Sequence, residues 1–211
     1  PVDASSVGFV DGRVATAHLP GNFMSVVRYD GFMYVNGAYI NGFCSTPRYS
    51  PVFVADGAVL MSCGNGLFLV DAKTAAVRTT FTVNASDFGL PSTWAPPEGG
   101  PTMVVWPALV GGVHRLYALD VTATTLTLRW SFDVAAIDAF RATALIDAAG
   151  RTLFFHGNGS WTRLDRNGVL LGRGTNSPLR SSYTALSRAG DVIGFDAAGR
   201  LLAVTPTAVD G

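Results

Sequence analysis

Apolar residues in this chain fall in short runs of roughly four to six, cut at close intervals by Asp-Gly, Asn-Gly and other glycine pairs. Residues 12–19 (GRVATAHL) and 31–43 (GFMYVNGAYINGF) each open on an Asp-Gly, at Asp11-Gly12 and Asp30-Gly31. Both central residues of a tight hairpin turn need positive φ, which Gly, Asn and Asp tolerate best, so the pattern predicts short antiparallel strands. From Pro51 it becomes regular: PVFVA, Asp56-Gly57, AVLMSC, a Gly64-Asn-Gly66 turn, LFLVD, and RTTFTV give four strands in residues 51–83. A four-stranded unit of that size is what one blade of a propeller uses.

The sharpest unit is residues 116–132 (LYALDVTATTLTLRWSF), a strand ending at Asp120, a polar turn, and a strand closing on Trp130 and Phe132. Asp120 follows Asp71 by 49 residues, and Asp165 follows Asp120 by 45. The units predicted from these repeats span residues 8–45, 51–83, 102–134, 141–174 and 181–206. Between the second and third lies 84–101 (NASDFGLPSTWAPPEGGP), whose four prolines and three glycines predict a long surface excursion without regular structure. Residues 135–149 (AAIDAFRATALIDAA) carry the one helical signal, and a short helical turn is expected at 135–139 with strand afterwards.

These segments resemble the repeat of quinoprotein-type β-propellers, in which a strand ending in Ala-Leu-Asp leads through a Thr-Gly turn to a strand closing on tryptophan. Tyr117-Ala118-Leu119-Asp120 and Trp130-Ser131-Phe132 carry the likeness, with weaker copies at Leu69-Val70-Asp71, Lys73-Thr74 and Phe81. Ala75 and Ala123 stand where the turn glycine is expected, so the repeat is divergent. The resemblance implies an all-β array of about five four-stranded antiparallel blades. It also implies scaffold roles for Asp71, Asp120 and Asp165, which can accept turn amides, and for Trp130 between blades. The chain starts at Pro1 and its last unit has no fourth strand, so an incomplete ring, part of a larger protein, is expected, with other segments or subunits completing it.

Composition narrows function more than it names it. Hydrophobic residues make up 48% and charged residues 14%, a lower charge fraction than usual for a globular chain. No apolar run is long enough to span a bilayer. Fifteen basic and fifteen acidic residues cancel, and the basic ones are scattered arginines apart from Lys73, so no clustered field for nucleic acid arises.

The candidate chemistry is sparse. His18, His114 and His156 lie in separate units without metal-type spacing. Residues 165–168 (DRNG) begin like a calcium loop but lack its later ligands. The resemblance would ask a quinoprotein dehydrogenase for acidic ligands and an adjacent cysteine pair; the only glutamate is Glu98, and Cys44 and Cys63 are not adjacent. No cofactor or metal is therefore expected. Cys44 and Cys63 are either a disulfide worth about 3 kcal/mol or two small buried thiols, and the spacing leaves both open. Asn84-Ala-Ser86 and Asn158-Gly-Ser160 are N-glycosylation sequons in expected turns. Phe88, Trp94 and Trp106, in and beside the proline-rich stretch, form the candidate contact surface. The sequence thus favours a non-catalytic propeller scaffold for protein interaction or assembly, extracellular or at the cell surface, with a periplasmic setting as the alternative. Part of a quinoprotein-type dehydrogenase and a carbohydrate-binding propeller remain as other readings.

Overall fold

The computed structural model describes residues 7–10, 14–18, 25–29, 32–35, 38–39, 52–54, 58–63, 66–71, 76–135, 144–156, 160–175, 179, 184–186, 192–196 and 198–204. All regular structure among them is β, in five antiparallel sheets whose neighbouring strands mostly follow one another in sequence. The chain divides into two compact units, Pro1–Val83 with Thr122–Leu126, and Asn84–Val121 with Thr127–Gly211.

The first unit holds two meanders. One runs β1 (Val7–Val10), β2 (Val14–His18), β3 (Ser25–Tyr29), β4 (Phe32–Val35) and β5 (Ala38–Tyr39). The other runs β6 (Val52–Val54), β7 (Ala58–Cys63), β8 (Gly66–Asp71) and β9 (Val77–Thr82). Ala58, Val59, Leu60 and Met61 are all buried, so β7 is covered on both faces, as continuous apolar runs predict. Arg78 on β9 pairs with Asp71 at the end of β8, its Nη2 donating to Oδ2 at 2.5 Å, and its Nη1 donates to the Ala123 carbonyl at 2.7 Å. Ala123 thus supplies its backbone oxygen to an arginine at the position where the repeat would have carried a turn glycine.

In the second unit the third sheet comprises β10 (Ala85–Phe88), β11 (Ser92–Trp94), β12 (Thr102–Val110), β13 (Val113–Val121) and β14 (Leu126–Asp133). The fourth runs β15 (Leu145–Ile146), β16 (Thr152–Phe155), β17 (Trp161–Leu164) and β18 (Leu170–Gly174), and the fifth β19 (Ala185–Leu186), β20 (Val192–Phe195) and β21 (Leu201–Val204). The helical turn expected at 135–139 lies largely outside the described residues.

The stretch 84–101 is not free of regular structure. β10 and β11 both pair with β12, Phe88 opposite Ala108 and Trp94 opposite Met103, and together they supply this sheet's first strand. Its prolines fall beside the pairing segments rather than inside them. The gap between β10 and β11 sits opposite Pro107, whose carbonyl accepts the Gly89 amide at 2.8 Å. In extended backbone the N–H and C=O of one residue point the same way, so the donor that Pro107 lacks faces this gap. Its pairing with Leu116 on β13 is undisturbed.

Side chains alternate across β12 and β13. Met103, Val105, Leu116 and Ala118 join Trp130, Val134, Ala144, Phe154 and Leu164 in one core between the third and fourth sheets. A second core, with Leu145, Leu153, Phe155, Leu179 and Val192, lies between the fourth and fifth. A blade of this kind hides neither face alone, and stacking is what buries both.

One turn recurs at three places: residues 147–151 (DAAGR), 165–169 (DRNGV) and 196–200 (DAAGR). In each, the aspartate N–H donates to the carbonyl four residues on, and the glycine N–H donates back to the aspartate carbonyl. One carboxylate oxygen of the aspartate accepts the amides two and four residues on, as at Asp147, Asp165 and Asp196. Gly150, Gly168 and Gly199 take φ of +77, +81 and +77°, a region costly for any residue with a Cβ.

Two of the three turns receive a tryptophan from the third sheet. The Trp94 indole N–H donates to the Ala148 carbonyl at 3.2 Å, and that of Trp130 to the Arg166 carbonyl at 3.1 Å. Each ring lies over the turn glycine: a Cβ at 150 would stand 3.0 Å from Trp94, and one at 168 would stand 2.7 Å from Trp130. Arg129 on β14 completes the second dock, pairing with Asp120 at 2.8 Å and donating to the Arg166 carbonyl at 3.3 Å. Gly199 has open space around it. Gly168→Ala is therefore expected to cost about 2–4 kcal/mol in urea unfolding, from backbone strain plus overpacking, and Gly199→Ala about 1 kcal/mol from strain alone. Equal losses at both sites would show that Trp130 does not depend on the bare glycine.

Candidate functional site

An open cleft of about 470 Å³ lies where the end of the third sheet meets the fourth, at the β16–β17 turn. Phe132, Asp133 and Val134, at and just beyond the end of β14, make one wall. His156, Trp161, Thr162 and Arg173 complete the lining from the fourth sheet. The volume is in the range of small-molecule sites.

Local sequence explains each wall. The His156 amide donates to the Ser160 carbonyl at 2.8 Å and closes the turn between β16 and β17. Its ring is buried, stands edge-on to Phe154 at 5.2 Å, and shares a 2.8 Å hydrogen bond with the Thr162 hydroxyl through Nε2. Trp161 pairs across the sheet with Gly174, where a Cβ would stand 2.6 Å from the indole. Glycine there leaves room for the ring to lie along the sheet, on the face it shares with Phe155, against the core between the fourth and fifth sheets.

The electrostatics separate two cations. Arg115 Nε donates to Asp133 Oδ1 at 2.5 Å. That hydrogen bond pushes the guanidinium upward and holds the Asp133 carboxyl below the ordinary carboxylate value, against a small opposing effect of burial. Asp133 is therefore charged, with Arg115 on one of its two oxygens. Arg173 is different: among the arginines whose side chains are described, it alone makes no hydrogen bond or ion pair.

The residues singled out from sequence are dispersed. Phe88 is 2% exposed and Trp106 0%, and the two rings pack at 5.8 Å with Tyr117 beyond, 6.1 Å from Trp106. They are core side chains, because β10 and β12 are paired strands rather than loop. Trp94 is half-buried in its dock on residues 147–150. Asn84 is exposed just before β10, while Asn158 and Cys44 lie outside the described residues; Cys63 ends β7. Asp165 caps turn amides, and Asp71 and Asp120 hold arginines. Glu98 pairs with Arg166 at 3.3 Å. Among the described residues no three His, Cys, Asp or Glu side chains group as metal ligands.

Sequence reasoning passed over Arg78, Arg129, Arg173 and Trp161. Arg78 and Arg129 carried a signal, since each follows its repeat aspartate by seven or nine residues on the next strand. Arg173 and Trp161 carried none, because what marks them is three-dimensional.

The Arg115–Asp133 pair yields a pH test. The Asp133 carboxyl is depressed in the folded state, so the stability it contributes is present above the ordinary carboxylate pKa of about 4 and is lost as pH falls through the folded value. The difference in melting temperature between the native protein and Arg115→Gln should be small at neutral pH, because both groups are substantially exposed, and should vanish in acid. A difference that grows on acidification would contradict the assignment.

No protein-family model matches the sequence, and no curated protein matches it. Solved structures do match in fold. BamB from Moraxella catarrhalis is similar over 95% of this chain and 72% of its own, with a TM-score of 0.60 and 14% identity. The Dos1 propeller is similar over 88% of this chain, with a TM-score of 0.62 and 14% identity. The computationally designed Ika8 protein is similar over 86%, with a TM-score of 0.57 and 13% identity. The chain spans 55% of the length of each of the last two. With its five antiparallel sheets and these likenesses, the chain is a divergent β-propeller.

Proposed function

We propose that this propeller is a non-catalytic scaffold that holds a protein partner, acting in an extracellular or periplasmic assembly. The observation that carries the reading is the outer strand of the fourth sheet. Val169, Leu170 and Leu171 are 60, 38 and 52% exposed, and among the described residues no strand pairs with the outer edge of β18. Three consecutive apolar residues beside an unpaired edge favour recruitment of another chain, whose backbone would continue the ladder while its side chains cover the leucines.

The distribution of polar groups supports the same reading. Most described arginines are tied to a carboxylate or a neighbouring turn, and the indoles of Trp94 and Trp130 are spent on docks between sheets. A sugar-binding surface built on those tryptophans would need rings that are already covered. The sequon at Asn84, on an exposed position, and the pairing of Cys44 with Cys63 belong to the same extracellular or periplasmic proposal.

A photo-crosslinking residue placed at Leu171, in the full chain in its native cells, should give one discrete adduct. The same residue at Thr124, an exposed polar turn position, should give none. Adding Leu170→Asp to the Leu171 probe should remove the adduct without changing the circular dichroism spectrum. Absence of any adduct at 171, or an identical pattern at 124, would overturn the assembly reading.

A further inference from the structure

We propose that the hairpin turn at residues 196–200 is a preformed seat for a tryptophan side chain carried by a partner polypeptide. The assembly reading uses the edge of the fourth sheet; this seat lies on the fifth and is independent of it.

The turn is a second copy of one that is already occupied. Residues 147–151 and 196–200 have the same sequence, DAAGR. In both, the aspartate N–H donates to the arginine carbonyl at 3.0 Å, and the glycine N–H donates to the aspartate carbonyl, at 2.9 Å in the first and 3.1 Å in the second. In both, one carboxylate oxygen accepts two turn amides, and the other accepts the arginine Nε, at 2.6 Å from Arg151 and 2.7 Å from Arg200. Gly150 and Gly199 share a φ of +77°. The two turns differ above the glycine. The Trp94 indole covers Gly150, whereas among the described residues nothing lies within 4 Å of the place a Cβ would take at Gly199.

The side from which a ring arrives is marked by the strand pair that closes the turn. Ile146 pairs with Thr152 at one occupied turn, and Leu164 with Leu170 at the other. Ile146 and Leu164 pack on the core between the third and fourth sheets, and cross-strand partners share a face. Both pairs therefore point toward the sheet that supplies Trp94 and Trp130. At residues 196–200 the closing pair is Phe195 with Leu201. Val192 and Leu202 pack against the fourth sheet, so by alternation Phe195 and Leu201 point the other way. They are 42 and 64% exposed there. A bare glycine and two uncovered apolar side chains thus lie together on the face of the fifth sheet turned away from the fourth.

The two occupied turns define the occupant. Each takes an indole, whose flat face needs the bare glycine and whose N–H donates to the carbonyl of the residue after the aspartate. Phenylalanine supplies the face without the donor. The chain's own four tryptophans are committed: Trp94 and Trp130 are docked, Trp106 is fully buried, and Trp161 packs on the core between the fourth and fifth sheets. A second copy of the chain has no indole to offer, which assigns the seat to a different polypeptide.

The probe is a synthetic peptide copying residues 90–97 (LPSTWAPP), the segment that this chain itself seats on the first DAAGR turn. Titrated into the native chain, it should shift the amide resonances of Phe195, Gly199 and Leu201 saturably, with the roughly millimolar affinity of one side chain freed from its scaffold. Trp94→Ala in the peptide should abolish the shifts, and Trp94→Phe should weaken binding about threefold or more. Gly199→Ala in the protein should weaken it about tenfold or more, because a Cβ takes the place of the ring. Gly112→Ala, at another turn glycine with open space around it, should bind as the native chain does. No saturable shift, equal binding of the Trp94→Ala peptide, or undiminished binding by Gly199→Ala would each overturn the seat. For the occupant, a photo-crosslinking residue at Leu201, in the full chain in its native cells, should give an adduct whose linked peptide contains tryptophan and which Gly199→Ala removes. An adduct with a second copy of the chain, an adduct without tryptophan, or no adduct would overturn the partner. The Leu171 crosslink reports on a different sheet, so the two readings fail separately.

Discussion

The second unit depends on a tryptophan ring lying over a turn glycine of the next sheet. A four-stranded antiparallel sheet with two apolar faces is not stable in water by itself, and stacking sheets buries the area without fixing their register. Dispersion and burial are nearly indifferent to a small slide of one face over another. A ring seated on a glycine at positive φ is not, since the contact distance and the indole hydrogen bond are lost together. Trp94 over Gly150 and Trp130 over Gly168 set two points of contact between the third and fourth sheets, each fastened by an N–H donated to the residue following the turn aspartate. The Ser92 hydroxyl, donating to the Ala144 carbonyl at 2.5 Å, adds a third between the first strands.

The turn makes the dock possible. Aspartate ties down the amides two and four residues on, which shapes the backbone so that glycine presents a bare surface and the preceding carbonyls point outward. The same chemistry at residues 196–200 makes a hairpin with no ring above the glycine. The turn is therefore a general device for joining strands, and docking is an addition that a neighbouring tryptophan makes to it. Arg129 extends that addition by reaching from Asp120 in its own sheet to the turn carbonyl of the next. Arg78, Asp71 and Ala123 repeat the arrangement within the first unit.

Much of this was legible in the sequence, because strands and hairpin turns are local. Asp-Gly and Asn-Gly pairs need only their own φ preferences, and the Asp71, Asp120 and Asp165 periodicity identified the repeat. The fold class follows from these and agrees with the propeller likenesses. The errors arose where a distant partner decides the outcome. Prolines and glycines in 84–101 look incompatible with a strand until β12 is seen to place Pro107 opposite the break, so the gap costs no further pairing. Phe88 and Trp106 look like exposed anchors for the same reason, and are buried because that stretch pairs. The cleft was invisible, since it joins the end of β14 to the ends of β17 and β18 across some forty residues of chain.

The arginines connect these points. A neutral chain with few charges has no field to steer a partner, so each guanidinium acts through contact alone. Arg78, Arg129, Arg151 and Arg200 are anchored to repeat or turn aspartates, and Arg166 to Glu98 in the stretch that precedes β12. Exposed pairs of this kind contribute little energy individually, but each fixes the direction of a long side chain next to a turn. A scaffold that spends its cations locally leaves few to recognise anything else. Arg173, exposed on β18, has no such anchor among the described residues. The head of an exposed arginine is satisfied by water, so the anchored arginines mark the joints of the scaffold and Arg173 does not.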